Sequence, residues 1–171
     1  TFYFWIGQHE TGRYSKAHYH GSAAVLICVS GKGYTYTWPK ELGPTPWKDG
    51  KAEFVKRQDY EAVGMVSAAP MSGDWFHQHF GISKEPLRLT AWFGPNNARG
   101  RKPAAPGTKL IDAGAIDMRS GGSAIPYDME DPYLRKEFEE TLKANGAAMR
   151  MEPELYDPNN EKTKAWGAAT F

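Results

Sequence analysis

The chain holds a single cysteine, Cys28, in 171 residues. One thiol excludes an intrachain disulfide and every zinc site built on several cysteines, and it fits a reducing, cytoplasmic setting. Long apolar runs are missing as well. The longest, AAVLICV at 23–29, has the length of a strand and falls far short of the about 18 residues a membrane helix needs, so no membrane partner is expected. No charge sign dominates: 21 Lys and Arg stand against 20 Asp and Glu, for a net charge of +1. Without a basic block, nucleic acid is not an expected partner. No G-x-x-x-x-G-K-[ST] loop, G-x-G-x-x-G turn or G-x-S-x-G elbow occurs, which removes phosphate-loop, dinucleotide and serine-hydrolase chemistry. Cys28, inside the apolar run, reads as a small buried hydrophobe and a poor nucleophile. The chain opens on Thr1, not Met, within the strand-like TFYFWIG, so a removed leader or further residues upstream are expected.

What is present favours strands. Aromatics make up 13%, and 18 Gly and 12 Pro supply turns. Residues 2–6, 17–29, 33–38, 52–57, 61–69, 74–82 and 86–93 are aromatic, β-branched or alternating in polarity. Turn signals separate them at Gly12, 30–33, 43–46, 48–50, 72–73 and 94–97. This rhythm predicts an all-β sandwich or barrel over residues 1–95, with 39–51 as an exposed proline-rich loop. The three-proline stretch within 95–109 opens an extended linker over 96–125. Residues 126–171 carry one helix and an extended tail. Asp131 can cap the helix, Pro132 suits its first turn, Leu134, Phe138 and Leu142 repeat every four residues, and Gly146 can end it. Its stripe is expected to dock on the barrel or on a second subunit. Trp166 and Phe171 suggest that the tail docks too.

Four of the five histidines form two His-x-His pairs, His18/His20 and His77/His79. Random placement would give roughly 0.1 such pairs, so their position asks for a reason. Along a strand, side chains alternate faces, and each pair points two imidazoles the same way. Imidazole is the commonest metal ligand near neutral pH, so two pairs from distant segments read as one metal site between strands. His9 and Glu10 read as surface residues.

The spacing around both pairs resembles the cupin superfamily, small β-barrels that hold one metal ion. In the first motif, Gly12 is followed by five residues, then His18-Tyr19-His20, and Gly31 closes the pattern. The motif's Glu is missing, its place falling on Ala24 or Val25. In the second, Gly64, five residues and Pro70 match, Gly73 and His77 follow with two extra residues between, and Gly81 replaces Asn. The resemblance covers about residues 10–95 and implies an antiparallel jelly-roll barrel. It makes His18, His20 and His77 the metal ligands. His79 shares the face of His77, as a fourth ligand or as a hydrogen-bond partner of the site. Loss of the Glu leaves three neutral ligands, as in the gentisate and salicylate ring-cleaving dioxygenases and the thiol dioxygenases. The strings HYHGSAAV and DWFHQHF look like the ring-cleaving group. The ion so implied is divalent: Fe(II) first, with Mn, Zn, Ni or Cu as alternatives.

Other candidates surround this set. Arg88, mid-strand, clamps a substrate carboxylate if it points inward and is a solvated charge if it points outward. Tyr34 or Tyr36 could donate a hydrogen bond to bound substrate, and Trp75, Phe76, Phe80 and Trp92 could line an aromatic pocket or pack a core. Three functions follow: an Fe(II) dioxygenase acting on a small oxygenated substrate, aromatic and anionic ones included; an isomerase, lyase or decarboxylase using its metal as a Lewis acid; or a non-catalytic metal- or ligand-binding barrel. A homodimer is expected, with TFYFWIG and the 131–146 helix as candidate contacts.

Overall fold

The computed structural model describes residues 3–21, 23–70, 74–93 and 116–159. Seven strands form: β1 (Tyr3–His9), β2 (Ala24–Ser30), β3 (Gly33–Pro39), β4 (Lys56–Tyr60), β5 (Met65–Ala69), β6 (Trp75–Gly81) and β7 (Leu87–Phe93). They make two antiparallel sheets, ordered β1-β7-β2-β5 and β4-β3-β6. This is the all-β antiparallel barrel that the resemblance implies. The turn from β2 to β3 depends on Gly31, whose φ of +82° suits glycine, and whose missing Cβ would lie 2.6 Å from the Pro86 carbonyl.

The two sheets differ in how they are covered. In β7, buried and non-buried residues alternate, so the first sheet has one face in the barrel and one in solvent. In β3 and β6, burial is nearly continuous, which requires material on both faces. One core fills the barrel: Leu26, Cys28, Tyr60, Leu87, Leu89 and Phe93. A second core lies on the outer side of the three-stranded sheet, where Tyr34, Trp38, Phe76 and Phe80 meet Leu134 and Phe138.

The helix that covers this second core forms as its sequence dictates. Helix α1 (Pro132–Ala144) is capped by Asp131, whose Oδ1 accepts from the Tyr133 N–H at 3.0 Å, and Pro132 opens the first turn. Leu134, Phe138 and Leu142 are its buried residues. The end is fixed by Gly146, at φ +69°, and by the Ala147 N–H donating back to the Leu142 carbonyl at 2.9 Å. The stripe is therefore consumed by the chain's own barrel. Met151 and Leu155 extend the same cover. The expected roles of Trp166 and Phe171 lie outside the described residues.

Some expectations need correction. Residues 39–51 are not a loop in solvent. Trp47 stacks on Tyr133 (centroids 4.8 Å apart) and meets Tyr36 edge-on at 5.0 Å, while the Lys48 N–H donates to Asp131 Oδ2 at 2.9 Å. The cap of α1 thus also fastens this segment. The strand read over 17–29 starts at Ala24, and residues 52–54 form a turn of 3-10 helix. Of the linker reading, residues 96–115 lie outside the described residues. Residues 116–125 instead pack on the barrel, with Ala124 paired to His18 and Ile125 buried.

Candidate metal centre

Parity on β6 assigns its side chains. His77 and His79 face the barrel interior, whereas Phe76 and Phe80 face α1. The free edge of β6 receives the segment carrying the first histidine pair. The His18 N–H donates to the His77 carbonyl at 3.1 Å, and the His77 N–H returns to the His18 carbonyl at 2.9 Å. On its other side this segment is held by the Ile125 N–H, which donates to the Ala17 carbonyl at 2.8 Å. His18 is thus clasped between β6 and the C-terminal segment, at a register set by backbone bonds.

His18, His20 and His77 converge. Each offers a ring nitrogen, and these atoms lie within 4.8 Å of one another. Nδ1 of His18 sits 3.2 Å from the Lys16 carbonyl and Nδ1 of His77 sits 3.1 Å from the Trp75 carbonyl. A carbonyl on Nδ1 fixes the tautomer in which Nε2 carries the lone pair, the arrangement that metal-binding imidazoles use. Burial, then the neighbouring His18, His20 and His79 rings, hold His77 well below the usual histidine pKa. Burial, then His9, His18 and His20, do the same for His79. Converging imidazoles, two of them with Nδ1 engaged by a backbone carbonyl, fit a divalent cation. The missing carboxylate is explained by parity: Ala24 lines the cavity, while Val25 points outward. Glu10 is exposed and accepts from Gln8 Nε2 at 2.6 Å, away from the histidines. Among the described residues, the group that could hold an ion is therefore three histidine nitrogens with no carboxylate beside them.

The rest of the cavity wall is apolar, with Trp5, Leu26, Ala68, Ala91 and Phe93 beside His79. Trp5 can lie along β1 because the following alternate residue is Gly7, where any Cβ would collide with the indole ring. His79 has a partner the sequence did not suggest: the Tyr60 hydroxyl lies 2.8 Å from its Nδ1. Burial pushes the Tyr60 pKa well up, so it stays a phenol. His9 also belongs here. It is buried, 5.6 Å from His79 between ring centroids, and burial followed by His18 lowers its pKa to about 4. All five histidines therefore gather in one barrel, and the surface reading of His9 is corrected.

The other sequence candidates do not reach the cavity. Arg88 lies on the outer face of its sheet, exposed, with Nε donating to Gln8 Oε1 at 2.7 Å, because alternation on β7 turns Leu87 and Leu89 inward. Tyr34, Tyr36, Phe76 and Phe80 sit in the core beneath α1, on the side of the sheet opposite the histidines. There Tyr36 donates to Glu137 Oε2 at 2.7 Å, and the Arg57 guanidinium lies 4.0 Å from the Tyr34 ring centroid. Trp92 is exposed and stacks on Phe4, and Trp75 is half-buried with the Lys56 ammonium 5.5 Å from its ring centroid. Adjacent strand residues point to opposite faces, and the resemblance did not say which tyrosines and tryptophans share a face with the ligands.

A second buried polar group lies under α1. Glu130 accepts from the Tyr14 hydroxyl and from Gln78 Nε2 at 3.2 Å, and Tyr14 shares a 2.7 Å hydrogen bond with Tyr156. Burial pushes its pKa up to about 8, against the pull of the Tyr14 and Gln78 hydrogen bonds. The folded state then keeps a proton that the unfolded chain releases near pH 4.5, so stability falls as pH rises from about 4.5 through 8. Urea midpoints between pH 7.5 and 8.5, above the range in which the unfolded chain's histidines release their protons, should fall in the wild type, with a slope of up to roughly 1.4 kcal/mol per pH unit. Glu130→Gln should flatten that slope. A variant that keeps the full slope would place its origin elsewhere.

No helix among the described residues is long and apolar enough to cross a membrane. No protein-family model matches the chain, and no curated protein matches it either. Solved structures do resemble it in part. Oxalate decarboxylase from Bacillus subtilis superposes with a TM-score of 0.43 at 18% identity, over 54% of this chain and 21% of that one. The DMSP lyase DddQ from Ruegeria pomeroyi superposes with a TM-score of 0.42 at 10% identity, over 64% of this chain and 42% of that one. The chain therefore spans about a fifth of the length of the first and about two fifths of the second.

Proposed function

We propose that the chain is a divalent-metal-dependent enzyme acting on a small molecule inside the barrel. The observation that carries this reading is the convergence of His18, His20 and His77, two of them with Nδ1 already engaged by backbone carbonyls. A bound ion would supply a Lewis-acidic +2 centre and, if it is Fe(II), a site for oxygen chemistry. The protein's own residues do the remainder. Trp5, Leu26 and Phe93 exclude water and favour an apolar portion of the substrate. His79 faces the same space with its ring orientation fixed by Tyr60.

Within this reading we favour an Fe(II) dioxygenase, because three histidines without a carboxylate would hold an ion without offsetting its charge, and such an ion would supply oxygen chemistry on a small oxygenated substrate. One observation favours the Lewis-acid lyase or decarboxylase reading: His79, with Tyr60 on Nδ1, lines the same cavity as the triplet, where its neutral ring could accept a proton from a bound substrate. Oxygen uptake separates the two. Metal-loaded protein tested against a panel of small hydroxy and carboxylic acids consumes O2 only with Fe(II) if it is an oxygenase. Turnover of equal rate under argon would overturn that reading and support the Lewis-acid one. Stoichiometric binding without turnover in either atmosphere would leave a ligand-binding barrel. A cytoplasmic setting accords with the single, fully buried thiol of Cys28.

A further inference from the structure

The four-stranded sheet presents to solvent a face that its sequence does not make polar. Phe4 and Ile6 of β1, Trp92 of β7, Val25 and Val29 of β2 and Met65 of β5 all point away from the barrel, with exposures of 56, 71, 45, 38, 53 and 73%. The register aligns them: Phe4 opposes Trp92, which opposes Val25, and one row along Ile6 opposes Thr90, Thr90 opposes Ile27, and Ile27 opposes Met65. The Phe4 and Trp92 rings stack with centroids 5.2 Å apart. The charged group at this end of the sheet, Arg88, lies one row further, paired with Gln8. An antiparallel sheet with a solvent face normally alternates apolar in and polar out. This one is apolar on both sides, like the sheet that α1 covers.

Area, charge and shape together select the occupant. With side-chain areas of roughly 150–250 Å2, those exposures leave on the order of 600 Å2 of apolar surface, the upper end of the largest patch on an ordinary monomer. Two such faces bury roughly 1,200 Å2 together, where specific protein interfaces begin. The centre of the face carries no charge and the chain's net charge is +1, so two copies meet without appreciable repulsion. Twisted sheets pack face to face at about 10 Å and about −30°, a geometry two identical sheets satisfy about a two-fold axis. An apolar, aromatic centre with an arginine at its border is also how interfaces between proteins are composed. We propose that this face is a homodimer interface, on which a second copy of the chain stacks its own β1-β7-β2-β5 face. The contact is made by the face of the sheet, and the helix stripe takes no part in it. The reverse side of the same strands supplies Trp5, Leu26, Ala91 and Phe93 to the histidine cavity, so the partner would brace that wall.

Sedimentation velocity of the full chain at micromolar concentration tests this. The wild type is expected at twice 19.1 kDa and the double variant Ile6→Lys/Trp92→Lys at 19.1 kDa, with near-ultraviolet circular dichroism confirming its fold. If the lysine pair fails to fold, Ile6→Thr/Trp92→Thr keeps strand-forming residues and should raise the dimer dissociation constant at least tenfold. Val63→Lys, at an 86% exposed site in the turn after β4, should leave the dimer intact. A monomeric wild type, or a dimer that survives both double variants unchanged, would overturn the proposal.

Discussion

Replacing His77 by Ala should take the metal content from near one ion per chain to near zero, measured by plasma mass spectrometry on protein loaded anaerobically with Fe(II). His77 is the hub of the cluster. Its ring centroid lies 4.4 Å from that of His18 and 4.6 Å from that of His20, whereas those two are 5.9 Å apart. Its backbone also fixes His18 through both bridge hydrogen bonds. Removing it deletes one of the three converging nitrogens and the backbone register beside it, so affinity should drop beyond the roughly 10–100-fold that losing a supporting group costs. The same logic makes the metal a stabiliser: at 100 times Kd a bound ion adds about 2.7 kcal/mol, which a chelator would remove from the wild type and not from His77→Ala. His79→Gln should retain the ion, because His79 stands outside the converging triplet. Loss of metal in His79→Gln equal to that in His77→Ala would make it a fourth ligand.

Truncating Phe138 should be the most damaging change remote from the site. The ring is fully buried, meets Tyr14 edge-on at 4.9 Å and lies 5.6 Å from Phe80. Large-to-small changes at such sites remove transfer energy and leave a cavity, and Phe→Ala costs about 3–5 kcal/mol. A domain of this size has a net stability of about 5–15 kcal/mol, so the loss is a large fraction of the whole. The urea midpoint of Phe138→Ala should fall accordingly at unchanged slope. A shift below about 1 kcal/mol would mean that α1 is not integral to the core. The site should feel it too. Phe80 packs on Phe138 from the same strand that carries His77 and His79, and Tyr14, on the other flank of the ring, leads into the segment ending at His18 and His20.

Legibility in the sequence followed the strength of local signals. The helix was fully readable, because cap, proline, four-residue repeat and terminal glycine all state the same element within sixteen residues, Asp131 to Gly146. The three converging histidines were readable because His-x-His has a fixed geometric meaning on an extended chain. The pocket wall was not. Tyr34, Tyr36, Phe76 and Trp92 were plausible lining residues by type, and they lie on outer faces because a strand's parity is set by pairing with strands distant in sequence. Arg88 shows the same limit: Leu87 and Leu89 flank it, and nothing local says that the leucines win the interior. His9 and Tyr60 carry no motif at all, and they enter the site through the register of β1 on β7 and β4 on β3. Ala24 is the counter-example, where a motif position narrowed to two residues is decided once alternation puts Val25 outside.

The shared wall of β3 and β6 has a consequence for how the protein comes into being. A ribosome delivers the residues of both strands well before the segment from Ile125 to Leu155 that covers their outer side. Until that segment emerges, Tyr34, Trp38, Phe76 and Phe80 face water, and the hydrogen bond from Ile125 to Ala17 that closes the clasp on the first histidine pair cannot form. Translation arrested after β7 would release all five histidines, yet in an incomplete body with an exposed apolar wall and a loosely held histidine cavity. Capacity to hold an ion would then rise with completion of the chain, because the segment that covers the outer wall is also the one that pins the strand edge beside His18.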